Sequence, residues 1–321
     1  MGSSLEIWSR QIAYLRQLCE HDGRRYAVNM LLLDWIGHGQ SECPDEPDAY
    51  NHDAVVDTVV QVIDDARREH AFEELHFVSH SYGTAIVTRL IPILYERIQF
   101  NTQKSTPTPA SPQPSSDMHF GNDDHDDERA PLIAASSSPS PSALKFSYEI
   151  KSCIFLGAAP LDNKRSISRQ HRFIISAPAP IFSLFRQFDR FGGRNSASVK
   201  RYLHANAVIE LKQQQLEWNR SVQTWVFQRV FRGVQFASRQ EMQRLGEIGV
   251  EIGTKLAVAA GDKDQVSRPP IEIARTIASI LQIQPREKNG ENYIVMNGAG
   301  HQLMIERPDL TNELLLRTIF H

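Results

Sequence analysis

Val78-Ser79-His80-Ser81-Tyr82-Gly83-Thr84 is the stretch on which the reading of this chain turns. Leu75–Val78 is a short apolar run with strand character, and Tyr82 to Arg97 carries helical spacing, so Ser81 falls at a strand-to-helix junction. A serine on so tight a turn holds its hydroxyl exposed above a sheet, and small residues are needed two positions either side because strand and helix approach closely there. The usual form is Gly-x-Ser-x-Gly. Here Ser79 stands where the first glycine would be, and it is small enough to keep the pattern. A serine is also a common helix N-cap. On these residues alone a nucleophile and a cap are both open.

Outward from Ser81, strands and helices alternate. Leu5, Trp8, Ile12, Leu15 and Cys19 mark an amphipathic helix over 5–20. Tyr26–Leu33 reads as a strand running into Asp34-Trp35-Ile36-Gly37-His38-Gly39, and Val55, Val56, Val59, Val60 and Ile63 mark a helix. Downstream, Ile150–Leu156, Thr254–Ala260 and Tyr293–Met296 read as strands, with helices at Pro269–Leu281 and Pro308–Phe320. This alternation predicts an α/β protein with a mostly parallel sheet flanked by helices.

Two segments interrupt the rhythm. Residues 101–143 hold nine Ser and seven Pro, and Asp117 to Glu128 contributes six acids and no base. With little to bury, this reads as a disordered insertion. Residues 163–245 are helical and rich in aromatics, with 15 Lys or Arg against 4 Asp or Glu from Asn163 to Arg244. The expected organisation is a first core part over 1–100, the insertion at 101–143, a core strand in 144–162, a helical cap over 163–245 and the rest of the core at 246–321.

Four motifs then fall in one order: Asp34-x-x-Gly37-His38-Gly39-x-Ser41, the elbow at Ser81, Gly261-Asp262-Lys263-Asp264, and Gly298-Ala299-Gly300-His301 followed by Glu306-x-Pro308. In these motifs the chain resembles the α/β-hydrolase superfamily, over nearly its whole length outside 101–143, and within it the abhydrolase-domain-containing subgroup. The resemblance implies the α/β-hydrolase fold with a helical cap, no cofactor, and a catalytic triad of Ser81, Asp264 and His301. Ser81 is the nucleophile, His301 its base and then the acid, and Asp264 the group that orients the imidazole. Asp262, two residues earlier, and Asp162 are competing acids.

Members of the superfamily carry a strand ending in His-Gly before the helix that opens here. Backbone N–H groups from that loop and from the residue after the nucleophile make the oxyanion hole. Tyr82 supplies one donor; Met1 lies near the place of the other. Lacking one such donor typically costs about 2.7–4 kcal/mol of transition-state stabilisation. The absent strand would lie between Tyr26–Leu33 and Leu75–Val78 and leave their edges unpaired. The expectation is therefore a truncated form of a longer enzyme.

The implied reaction is cleavage of a carboxylic ester, with a lipid or acylglycerol among the candidate substrates. Some relatives carry His-x-x-x-x-Asp linked to acyl transfer; Glu306 at that spacing from His301 speaks against it. A non-catalytic interaction protein on the same scaffold is the reading from another class. Ile181, Phe182, Leu184, Phe185, Phe188 and Phe191 form one aromatic-rich run, and Trp218, Trp225, Phe227, Val230, Phe231 and Phe236 another. They are either walls of an acyl pocket or packing between cap and core. Arg172 precedes the first run, Arg186 and Arg190 interleave with it, and Arg194, Lys200 and Arg201 follow it, which suits peripheral contact with an anionic membrane or a plain solvated face.

The bland reading holds elsewhere. His80 and His38 are expected to pack and hydrogen-bond, and His119 and His125 show no metal-ligand spacing. Nothing resembles a phosphate loop or a nucleic-acid module. Cys19, Cys43 and Cys153 have no paired spacing, and no apolar run is long enough to cross a bilayer. These features predict an intracellular, cytoplasmic protein, with mitochondrial or lipid-associated sites as alternatives.

Overall fold

The computed structural model describes residues 5–21, 28–105, 148–161, 176–283 and 292–320. A short 3-10 turn at Leu5–Trp8 leads into α1 (Ser9–His21). After the Asp34 loop, a second turn (Pro47–Tyr50) precedes α2 (His52–His70), β1 (Glu74–His80) and α3 (Tyr82–Ser105). β2 (Glu149–Leu156) is followed by α4 (Ala179–Phe191), α5 (Ala197–Tyr202), α6 (Ile209–Ser221), α7 (Thr224–Gly233) and α8 (Arg239–Ile252). β3 (Lys255–Gly261), α9 (Pro270–Ile280), β4 (Tyr293–Met296), α10 (Leu303–Glu306) and α11 (Pro308–Phe320) complete the chain.

The four strands form one parallel sheet in the order β1-β2-β3-β4. Parallel strands are buried on both faces, and the period of two divides their side chains between two cores. Cys153 and Phe155 of β2 with Val258 of β3 join one core, beneath α2, α3, α8 and α9. Ile154 and Leu156 with Ala257 and Ala259 join the other, beneath α10 and α11. All four strands run the same way, so the loops after β1, β2, β3 and β4 gather at one end of the sheet. In open α/β sheets that is where ligands bind.

Two expectations need correcting. Tyr26 and Ala27 lie outside the described residues, and Val28–Leu33 forms no strand. A strand exists by pairing its backbone groups, and β1 pairs only with β2 among the described residues. Leu31 and Leu33 are accordingly left exposed. The expected cap boundary at 245 also falls inside α8, which packs on α3 and α9 as a core helix. Its ends are sharply set: Ser238 and Glu241 form a reciprocal capping box, and Gly253 closes it in the left-handed region. The helix after the elbow continues to Ser105, and residues 106–143 of the expected insertion lie outside the described residues.

The helices between β2 and α8 stack as two pairs, α4 on α7 and α5 on α6, and α7 sits on the Pro47–Tyr50 turn. Trp218 Nε1 of α6 donates to Glu6 at 3.1 Å, tying them to the start of the described chain.

Candidate active site

Ser81 has φ of +54°, in the left-handed region where a side chain costs about 1–2 kcal/mol. Local hydrogen bonds hold it there. Its N–H donates to the Leu156 carbonyl at the end of β2 (3.0 Å), and its own carbonyl accepts from Thr84 N (3.0 Å) and Thr84 Oγ1 (2.7 Å). Ser79, in the place of the usual glycine, fits by donating its hydroxyl to Ile154 O across the sheet at 3.2 Å. Tyr82 begins α3, so its N–H is among those a helix start leaves without an intrahelical acceptor. Met1, the other expected oxyanion donor, lies outside the described residues.

His301 and Asp264 meet from separate loops. His301 Nδ1 is 2.7 Å from Asp264 Oδ2, and both side chains are fully buried. The other carboxylate oxygen accepts backbone N–H from Val266 (2.6 Å) and Ser267 (3.0 Å). A carboxylate held on both oxygens is rotationally fixed, so the imidazole it receives is fixed as well. With Nδ1–H donating to Asp264, the lone pair sits on Nε2. That atom is buried and has no hydrogen-bond partner. Asp262 is employed differently: it accepts from Gly298 N (2.7 Å) and Lys263 Nζ (3.0 Å) and braces the loop from outside. Asp162 lies outside the described residues.

His80 brings the two halves together. It precedes Ser81, its Nε2–H donates to the His301 carbonyl at 2.8 Å, and the two rings lie 4.7 Å apart. Burial, with the neighbouring His301, pushes its pKa well below the usual value, so it serves as a neutral donor rather than a second base. His38 likewise shapes its own loop, with Nδ1 on Ile36 O at 3.1 Å, and burial lowers its pKa to about 4. Asp34 closes that loop by accepting from Gln40 N and reaches back to Leu5 N at 2.9 Å. Gly39 is required there: a Cβ would sit 2.0 Å from Asp34 Oδ2.

Three further residues support the His301 loop through contacts that the sequence does not display. Gly157, just after β2, has φ of +54°, and a Cβ there would lie 3.3–3.5 Å from the backbone and ring of His301. The Tyr202 carbonyl, at the end of α5, accepts from both His301 N (2.8 Å) and Gln302 N (3.2 Å). Glu306 accepts from Gly300 N (2.9 Å) and His204 N (2.6 Å), so one carboxyl spans the histidine loop and the segment after α5. Burial raises its pKa to about 7. The glycine after β2 and the Glu-x-Pro after the histidine were visible as letters. Their partners lie far away in sequence and were not.

The aromatic runs divide. Phe182 of α4 stacks on Phe227 of α7 (5.8 Å between ring centres), which meets Phe231 of the same helix (4.7 Å), so this cluster packs α4 against α7. Ile181, Leu184, Phe185, Phe188 and Phe191 face outward. No group of His, Cys, Asp and Glu suited to a metal occurs among the described residues, and no helix among them is long and apolar enough to cross a membrane.

The sequence model of the alpha/beta hydrolase family matches residues 2–314. No curated protein matches the chain in sequence. Solved structures do match in fold. One is a hydrolase from Oleispira antarctica, with a TM-score of 0.59 at 12% identity, covering 98% of this chain and 86% of that one. An esterase from Exiguobacterium antarcticum has a TM-score of 0.58 at 12% identity, covering 98% and 87%. A bromoperoxidase from Bacillus anthracis has a TM-score of 0.56 at 12% identity, covering 98% and 86%. Names this varied on one architecture show that the fold does not choose the reaction. The family match over almost the whole chain and the parallel sheet with its loops gathered at one end agree: this chain belongs to the alpha/beta hydrolase family.

Proposed function

We propose that this chain is a serine hydrolase cleaving a carboxylic ester, with a lipid or acylglycerol as the substrate class. The observation that carries the reading is the buried Asp264–His301 pair, whose free Nε2 belongs to a residue hydrogen-bonded through its carbonyl to His80, the neighbour of Ser81. In this mechanism His301 Nε2 takes the Ser81 proton as Oγ attacks the ester carbonyl carbon. The resulting oxyanion is met by N–H groups that include that of Tyr82. The leaving alkoxide takes the proton from His301, and water then repeats the cycle on the acyl-serine. Asp264 keeps the imidazole in the productive tautomer and stabilises its charged form.

Glu306 argues against acyl transfer through the His-x-x-x-x-acid spacing, since both its oxygens are occupied by backbone N–H groups. Labelling by a fluorophosphonate, compared between the chain and its Ser81→Ala form, tests the proposal. Labelling that disappears in Ser81→Ala supports it. A folded chain that does not label gives way to the non-catalytic scaffold reading, for which binding without turnover is the signature. Product formation that depends on an added acyl acceptor would make it a transferase instead.

A further inference from the structure

α4 is mounted with its apolar face outward. Ile181, Leu184, Phe185, Phe188 and Phe191 recur at i, i+3, i+4, i+7 and i+10, so they form one stripe along the helix. They are 46%, 53%, 48%, 63% and 84% exposed. The opposite face, where an amphipathic helix ordinarily meets water, is the one fastened to the protein. Arg186 donates to the carbonyls of Asn219 (2.7 Å) and Val222 (3.1 Å) and lies over the Phe227 ring, and Arg190 donates to Arg220 O (3.3 Å). Phe182 is buried on the same side. The arginines thus take up carbonyls left free at the end of α6, and in doing so they turn five large apolar side chains away from the core.

Along the chain, the segment that carries the stripe has almost one sign of charge. Between Ser176 and Ile209 the only acid is Asp189, and its carboxylate is used internally, accepting from Ser198 N at 3.1 Å. Arg194, Lys200 and Arg201 follow the helix closely and are exposed. An aromatic, aliphatic stripe flanked by basic residues on a helix lying along the surface matches the chemistry of an anionic bilayer interface. The rings enter the acyl boundary and the cations meet the headgroup phosphates. We infer that α4 is a peripheral docking element for an anionic lipid bilayer. Through α5 and the Tyr202 carbonyl, the same cap region reaches the His301 loop, so docking would bring a membrane-dissolved substrate to the proposed site.

Co-flotation of the full chain with phosphatidylcholine vesicles, with and without phosphatidylserine, reads this without any turnover. The chain is expected to float with the phosphatidylserine vesicles and markedly less without them. Phe188→Asp/Phe191→Asp is expected to lower the partition coefficient by about tenfold or more. Val250→Asp, on the core helix α8 at an equally exposed apolar site, is the control and should float as before. Ser81→Ala should also float unchanged, so loss of the hydrolase reading would leave docking standing, and the reverse holds too. The inference is overturned if the chain stays off both vesicle types, whichever segment covers the stripe, or if the double aspartate variant floats as well as the parent. It is also overturned if light scattering shows a dimer that the double variant converts to monomers while neither binds vesicles.

Discussion

The interior around His301 and the outer face of α4 both invert the ordinary distribution of residues. Around His301, imidazoles and carboxyls are buried; on α4, phenylalanines stand in water. Each arrangement costs stability, since buried polar groups need partners and exposed rings forgo burial. They differ in how the cost is met. Inside, nearly every polar atom is matched: Asp264 by three hydrogens, Glu306 by two, His80 by a carbonyl. The exceptions there are His301 Nε2, Ser267 Oγ and Gln302 Oε1. On α4 only the inward face is matched, and the outer one is left over. Unmatched groups on an otherwise consistent structure mark the places where something else is meant to bind.

The comparison breaks first at Asp264. Asp264→Asn keeps the size of the side chain but removes the acceptor that sets the imidazole tautomer, and ester turnover should fall by about ten-thousandfold. Circular dichroism and urea unfolding should show the fold retained; turnover near the parent level would remove Asp264 from the site. The next contrast lies within one helix. Phe182→Ala, on the inner face, should cost about 3–5 kcal/mol in urea unfolding. Phe188→Ala, on the outer face, should stay within about 0.5 kcal/mol. Similar costs would mean that the outer stripe is covered after all.

The buried histidines give the pH dependence. Burial lowers both His38 and His52 to about 4. Between pH 6.5 and 4 the unfolded chain therefore binds protons at these positions while the folded chain does not. Stability contributed by them is present above pH 6.5 and lost as pH falls toward 4, by roughly 2 kcal/mol each. His52→Asn keeps a polar group where Nδ1 meets the Tyr82 hydroxyl and should flatten part of that slope in urea titrations.

Glu306 has the opposite sign. Its folded pKa of about 7 exceeds the ordinary carboxyl value, so its contribution is present below about pH 4.5 and is lost as pH rises through 7. Relative to the parent, Glu306→Gln should gain stability from pH 5 to 7, by at most about 2 kcal/mol. A parent-minus-variant difference independent of pH would show that the carboxyl is ionised throughout, and that its two N–H donors outweigh its burial.

Much of the candidate site was legible because its parts are local signals. A serine between a strand and a helix, glycine turns after strands and the order Ser, Asp, His are written in consecutive residues. The strands β1, β2, β3 and β4 were also expected within a residue or two, since runs such as Cys-Ile-Phe-Leu are buried on both faces. Tyr26–Leu33 shows where that stops. It has the composition of a strand, but a strand is a pairing, and no partner adjoins it among the described residues. The sequence leaves Asp264 and Asp262 both open; the turn after β3 points one carboxylate inward to His301 and the other outward to Gly298 and Lys263.

By itself the sequence determined the period of each element, and hence which side chains share a face, because backbone geometry alone sets that. α4 and α8 both carry the same amphipathic pattern. Only the tertiary structure decided that Met242, Leu245 and Ile248 of α8 turn into the core while the stripe of α4 turns out. That outcome depends on carbonyls at the end of α6, more than 30 residues away, which accept the α4 arginines. The same is true of Tyr202, Gly157 and Glu306 around His301. Their roles are contacts between segments distant in sequence, and no local period encodes which distant neighbour a face will meet.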